Sequence, residues 1–364
     1  MGLPSGKPVH ARYRDEPHRR HDRRKADAWR TGCGRWFAAC LTALFVAALP
    51  ATAETYRIMT YHTGLSRDGP ALLVRDLMAA KADEQLRPIA HLAPDIVVLQ
   101  NVDFDHDRIA AHLIQTRLAD MGHEMPFSYA ARPNTGIGSG ADLDRNGKLG
   151  EPRDMLGYGR FAGQGGMLLL SRFPLVDEQT RDLSHVLWRD QETPDLPAGG
   201  FFPDGVLAIL PLHTVNAWDV VIQTPTGPLR VLTSHASTPA FDGPEDRNGL
   251  RNAAELGFWR RYIEQPALQQ MPFVLLGTLN NDPSGGEGHR TAIQSLLNHD
   301  ALQDPHSTDA NGGITAEWAF GLALRVDYVL PSSRLRVRAA KVERTPRSSG
   351  ESRHYPVWVD VTLQ

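Results

Sequence analysis

Pro272-Phe273-Val274-Leu275-Leu276-Gly277-Thr278-Leu279-Asn280-Asn281-Asp282-Pro283 is the most informative stretch of this chain. Its apolar run is short, rich in branched residues and bounded by Pro and Gly, which is the pattern of a buried strand. The residues after the last apolar position are small, polar and turn-forming, so polar groups gather at the strand's carboxyl end. Sheet enzymes commonly place ligands there, because the strand is rigid and the loop beyond it is free to carry chemistry.

The flanking sequence supplies partners for that strand. Helical spacing predicts a helix from about Asn248 to Ile263 before it, and a hairpin earlier still, Trp218 to Gln223 and Leu229 to His235 around Pro225-Thr226-Gly227. A shorter helix, Thr291 to Leu297, follows it, then closing strands at Val326–Leu330, Leu335–Val342 and Pro356–Leu363. Toward the N-terminus, strands are predicted at Tyr56–His62, Ile96–Leu99 and Gly165–Arg172. A helical pattern spans Ala71–Leu92, interrupted near Pro88, and another runs from about Asp107 to Met121. Two stretches stay irregular, the Gly-rich Arg132–Gln164 and a Pro/Gly loop over 190–205. Such long loops are uncommon in a compact domain unless they have a function or bind an ion. Strands and helices interleave without repeats or a linker, which predicts one α/β domain, and hairpins among helical crossovers make its sheets mixed.

Residues 1–53 read differently. A polar, basic leader precedes the apolar run Trp36–Leu49, which is too short to span a bilayer comfortably, and Ala51-Thr52-Ala53 closes it. This is the pattern of a secretory signal peptide cut before Glu54, which leaves a domain over 54–364, no stable membrane span after cleavage and a periplasmic or secreted protein. Both cysteines, Cys33 and Cys40, lie in the leader, so the remainder has neither a disulfide nor a thiolate nucleophile. The leader holds 10 Lys/Arg and 4 Asp/Glu of the chain's 39 and 42, which leaves residues 54–364 with a formal charge of −9. That balance is the opposite of a protein that clamps long nucleic acid through its phosphates.

Several motifs then arrive in one order: Thr60-Tyr61-His62-Thr63, Asp95 to Asn101, Gly165 to Pro174, Thr233-Ser234-His235, Gly277-Thr278-Leu279-Asn280, Arg325 to Leu330 and Ser352-Arg353-His354. Together they resemble the endonuclease/exonuclease/phosphatase superfamily over nearly all of 55–364. The resemblance implies a four-layer α/β/β/α sandwich of two mixed sheets flanked by helices. It also implies metal-assisted hydrolysis of a phosphodiester or phosphomonoester, with a phosphorylated small molecule or short nucleic acid as substrate. Carried over, Asp327 orients His354, His354 is the acid/base or charge-stabilising imidazole, His235 is a second phosphate contact and Asn280 is a positioning amide.

The cation's anchor departs from the family pattern. His62, Asn101, Thr278 and Arg353 stand where the family has Asn, Glu, Asp and Asp, and losing three carboxylates weakens a site for magnesium or manganese. Asp103, Asp105 and Asp282 are nearby acids that could supply a displaced carboxylate, and His62 favours a softer ion such as zinc. The competing reading is a non-catalytic phosphate-binding protein on the same fold with a decayed metal site.

Two further signals are independent of these. Asp142-Leu143-Asp144-Arg145-Asn146-Gly147 has oxygen ligands at alternate positions followed by Gly, the first half of a calcium loop, with Asp154 or Glu151 available to close the shell. Arg247 and Arg251, at the start of a predicted helix, are candidate anion contacts, and Asn134 and Arg160 are candidates to line the same cleft. Against each stands a plainer role as an Asx-rich turn or a capped helix.

Overall fold

The computed structural model describes residues 54–192, 194–306, 313–344 and 352–363, all within one compact unit. The expected signal peptide and both cysteines lie outside the described residues. No described helix is long and apolar enough to cross a membrane.

Tyr56–Leu65 forms β1, Leu72–Met78 and Asp83–Leu92 form α1 and α2, Ile96–Val102 is β2, Ile109–Asp120 is α3, Phe127–Tyr129 is β3 and Gly166–Ser171 is β4. Then come β5 (Arg181–Asp182), the hairpin β6 (Ala217–Thr224) and β7 (Gly227–His235), α4 (Arg247–Ile263), α5 (Pro266–Gln269) and β8 (Phe273–Thr278). The chain continues through α6 (Arg290–Leu297), a small ribbon of β9 (Ala316–Glu317) and β10 (Ala323–Leu324), β11 (Asp327–Pro331), β12 (Leu335–Val342) and β13 (Val357–Leu363).

One sheet has the order β12-β13-β1-β2-β4-β3 and the other β11-β8-β7-β6-β5. Each contains one parallel pair, β1 with β2 and β7 with β8, among antiparallel neighbours. The inward faces pack on each other: Ile58, Val98 and Leu169 meet Val220, Val231, Val274 and Val329 in one buried cluster. The outer face of the first sheet buries Met59, Val97 and Leu168 against Leu77, Leu86 and Ile114 of α1–α3. The outer face of the second buries Leu232, Leu275 and Tyr328 against Trp259 and Ile263 of α4 and Ile293 of α6. This is the α/β/β/α sandwich, with hydrophobic burial holding each of the three contacts between layers.

The predicted helix over Ala71–Leu92 does break, but at 79–82 and not at Pro88, which lies inside α2. Pro88 is accommodated as the sixth of the ten residues of α2, while Ala80 takes a φ of 56° and turns the chain. The strands β3 and β5 escape sequence reading because two or three residues are too few to show alternation. The loop over 190–205 covers a small core of its own, in which Trp188, Phe202, Val206, Leu210 and Leu212 pack with Leu143 and Ala254.

Candidate active site: a histidine cluster beside an arginine-lined cleft

The last residue of β7, the last of β8 and the first of β11 lie side by side, because His235 pairs with Thr278 and Thr278 with Asp327. His62 lies on β1 at the same end of the sandwich. His354 precedes β13, whose Val357 pairs with Thr60 of β1, so it approaches from the neighbouring strand. Residues separated by up to 292 positions thereby converge.

His354 Nδ1 is 2.7 Å from Asp327 Oδ2. The other oxygen, Oδ1, accepts a 2.6 Å hydrogen bond from the Thr278 hydroxyl, and Asp327 N–H donates to Thr315 Oγ1 at 2.9 Å. The carboxylate fixes the proton of neutral His354 on Nδ1 and leaves Nε2 with the lone pair. His62 stacks on His354 with ring centroids 4.0 Å apart and 18° between planes, and meets His235 edge-on at 5.3 Å. Trp318, at the tip of the β9–β10 ribbon, covers the other side of His354 edge-on at 5.8 Å. Burial, followed by the positive potential of His354 and His235, holds His62 well below the ordinary imidazole range. Burial chiefly, then His354, pushes His235 down to about 4 against the pull of Asp327. Nδ1 of His62 and Nδ1 of His235 are both buried without a hydrogen-bond partner.

The acids expected to replace the family's metal carboxylates are occupied elsewhere. Asp103 accepts from the backbone N–H of Arg67 (2.8 Å) and of Gly165 (2.9 Å). Asp105 bonds Ile109 N–H and Ala110 N–H at the start of α3. Asp282 accepts from Ser284, Gly285 and Arg325 N–H; burial pushes its carboxyl up, but these bonds outweigh it and the net shift is downward. These N–H groups hold the three as turn and cap acids, and none of them is grouped with two other His, Cys, Asp or Glu ligand atoms among the described residues, so they do not form the expected metal shell. Asn101 takes a φ of 59°, and its Oδ1 lies 2.9 Å from where a Cβ on Gly165 would be. The strand-end donor set, imidazoles and amides without a free carboxylate, does not fit a hard oxygen-seeking cation. The imidazoles do not supply a full softer-metal shell either. Among the described residues the only group of three or more His, Cys, Asp or Glu side chains with ligand atoms within 4.8 Å of one another is Asp142, Asp144 and Asp154.

That group belongs to the predicted calcium loop and could hold a cation. Its third acid is Asp154; beside it Asn146 donates its amide N–H to Asp144 and Glu151 and accepts from Lys148 N–H at Oδ1. Asp154 is itself engaged with Leu143 N–H and Glu151 N–H.

A cleft of about 630 Å³ opens beside the histidines. Asn101 and His235 line it, as do Arg247 and Arg251, one turn apart on α4, and Arg160, in an exposed ion pair with Asp68. His354 is 8% exposed and lies behind His62. Asn134 does not reach the cleft as expected: it is 1% exposed and donates to Ser184 O and His213 O, while its neighbour Thr135 lines the wall. Asn280 takes a φ of 54° just past β8 and donates to Ala236 O at 2.8 Å, so it holds the residue that follows His235.

Sequence reading overlooks Thr278 as the donor to Asp327, Thr315 and Trp318 beside the dyad, and Glu255 beneath the cleft. Glu255 is fully buried, and its two oxygens accept from Thr214 N–H and Ser237 N–H, both of the cleft wall. Burial raises its carboxyl to about 7. Mid-helix, with ordinary acids around it, Glu255 carries no local signal of this role.

His213 packs edge-on against Phe258 at 5.0 Å with neither nitrogen hydrogen-bonded, and burial lowers it to about 3. A histidine depressed in the folded state binds its proton mainly when unfolded, so stability falls as pH drops below about 6.5, the unfolded value. His213→Phe removes that dependence. The variant should gain on wild type by roughly 2 kcal/mol between pH 7.5 and pH 5, read from urea midpoints; a constant difference across the two pH values would refute the burial account.

The model of the Endonuclease/Exonuclease/phosphatase family matches residues 62–354. Among solved structures, an endonuclease/exonuclease/phosphatase from Beutenbergia cavernae DSM 12333 is 20% identical, with 85% of this chain and 72% of that one aligned and a TM-score of 0.54. TDP2 from D. rerio, complexed with single strand DNA product, is 9% identical over 85% of this chain and 100% of that one, with a TM-score of 0.51. At these identities the likeness is one of fold. No curated protein matches the sequence.

Proposed function

This chain belongs to the endonuclease/exonuclease/phosphatase family, whose fold is of the phosphoesterase and nuclease type, and on that premise we propose that it hydrolyses phosphate esters at the histidine cluster. The observation that carries the reading is the Asp327–His354 pair at 2.7 Å, backed by Thr278 and stacked on His62 beside the cleft. A solvated surface histidine has no need of a buried carboxylate, whereas an acid/base imidazole does. In the proposed reaction His354 Nε2 takes the proton of the attacking water or returns one to the leaving oxygen. Asp327 balances the imidazolium, and His235 and Asn101 face the phosphoryl oxygens. His62 and His235 are neutral at pH 7, so an incoming phosphate stabilises protons on their unpartnered nitrogens.

Members of the family use divalent metals, and metal dependence is the sequence expectation. The donor set here does not fit magnesium, so no step is assigned to a cation. Phosphodiesters are candidate substrates because TDP2 from D. rerio is complexed with single strand DNA product; the formal charge of −9 over 54–364 favours small substrates. The leader supports export, and we place the activity in the periplasm or outside the cell.

The test is hydrolysis of a phosphomonoester and a phosphodiester by protein starting at Glu54, with magnesium, manganese, zinc, calcium or chelator. Turnover that survives chelator and needs His354 is the expected result. Phosphate binding without turnover under every condition would favour the non-catalytic alternative, whose support is the loss of carboxylates at 101, 278 and 353.

A further inference from the structure

We propose that the arginine-lined wall of the cleft is a second anion subsite, and that the ligand is a small phosphate ester bearing a further carboxylate or phosphate. The proposal rests on the reading of the histidine end as the phosphoryl site. It starts from how this protein treats buried guanidinium groups. Arg230 and Arg325 are 7% and 4% exposed, and each is paired with an aspartate, Asp219 and Asp304 respectively. Arg247 and Arg251 are as deeply buried, at 9% and 7%, yet neither forms an ion pair with any described residue, and both line the cleft.

Backbone carbonyls hold these two side chains in place without neutralising them. Arg247 Nη1 donates to Leu143 O at 2.8 Å. Arg251 donates through Nε to Leu212 O at 2.9 Å and through Nη2 to Leu156 O and Pro211 O at 3.0 and 2.5 Å. Burial lowers both, Arg251 to about 10, so both keep their charge at neutral pH. The acids that act on them do so without forming an ion pair, Glu255 on Arg251 while it accepts from Thr214 and Ser237 N–H, and Glu245, Asp144 and Asp242 on Arg247; the one acid lining the cleft, Asp68, is exposed and paired with Arg160. A buried charge with no acid in direct contact is left incompletely compensated. Two of them, one turn apart on α4 and pinned in position, are a preorganised site for an anion: Arg251, with Nε and both Nη2 hydrogens committed to carbonyls, offers Nη1, and Arg247, committed through Nη1, offers its Nε–Nη2 fork.

His235 lines the same cleft, so a ligand can meet the histidines and the arginines together. Met155, Leu210 and Phe202 line it as well, which suits an apolar spacer between the two anions. A volume of about 630 Å³ is that of a small-molecule site.

The experiment is calorimetric binding of ω-carboxyalkyl phosphates of three, five and seven carbons, each against the alkyl phosphate of the same length. For at least one length the wild-type protein should bind the carboxylated probe tenfold or more tightly. That ratio should fall toward one in Arg247→Gln and to an intermediate value in Arg247→Lys, which keeps the charge and loses the fork. Equal affinities at every length, no binding of either probe, or a ratio retained in Arg247→Gln would overturn the proposal. The wild-type comparison needs no variant, so misfolding of either one cannot hide the answer. A preserved ratio without hydrolysis would sink the enzymatic reading and leave the subsite standing, while hydrolysis without a ratio would do the reverse.

Discussion

His354→Ala should lower kcat for phosphate-ester hydrolysis by about 10²–10⁴-fold, the range associated with a positioned acid/base group. KM should move far less, because a proton-transfer group acts mainly in the transition state while the cleft residues hold the bound substrate. Asp327→Asn should be nearly as damaging for a reason specific to this geometry. Thr278 donates to Oδ1, so an amide at 327 keeps its oxygen there and turns its NH₂ toward His354 Nδ1. His354 must then accept at Nδ1 and carry its proton on Nε2, the wrong tautomer for a base facing the reaction. Combining the two substitutions should cost little more than either alone, because the residues act as one unit. Additive losses in steady-state kinetics would mean that Asp327 does not act through His354.

Gly277→Ala should destabilise the folded protein by about 3 kcal/mol or more. Gly277 has a φ of 143°, and a Cβ built on it would sit 2.1 Å from the carbonyl oxygen of Ser234, its partner across the parallel β7–β8 pair. The two strands would be forced apart at the position immediately before His235 and Thr278. Gly122→Ala is the control: its φ is 89° but nothing lies within 4 Å of the added carbon, so only backbone strain of about 1 kcal/mol is expected. Equal shifts of the urea midpoint in the two variants would mean that the close approach of β7 and β8 does not matter.

Gly277 also illustrates what local reading conveys. As the boundary of an apolar run it marks a strand correctly, but its place inside β8, against a carbonyl from β7, is invisible without the partner strand. The same division runs through the site. His235, Asp327 and His354 are recognisable because each lies at or beside the end of a strand with a family-like pattern. Asp103, Asp105 and Asp282 resemble spare metal ligands because spacing does not say which backbone N–H groups a carboxylate meets. Asn134 reads as a cleft residue and is a buried clamp on His213 and Ser184. In the reverse direction, Thr278 reads as a lost carboxylate and is the donor that orients Asp327.

By itself the sequence determined the order of the longer strands and helices and the mixed character of the sheets, because hydrophobic periodicity and turn residues act over a few positions, and its motifs carried the resemblance to the family. Tertiary structure alone decided which polar groups meet. Only there do three imidazoles gather beside one buried aspartate, three acids become occupied by backbone amides, and two arginines stand buried without an ion-pair partner among the described residues. Those outcomes depend on distances of a few ångströms between residues far apart in the chain, and on burial, which turns an ordinary side chain into one whose unpaired nitrogen or charge needs a partner.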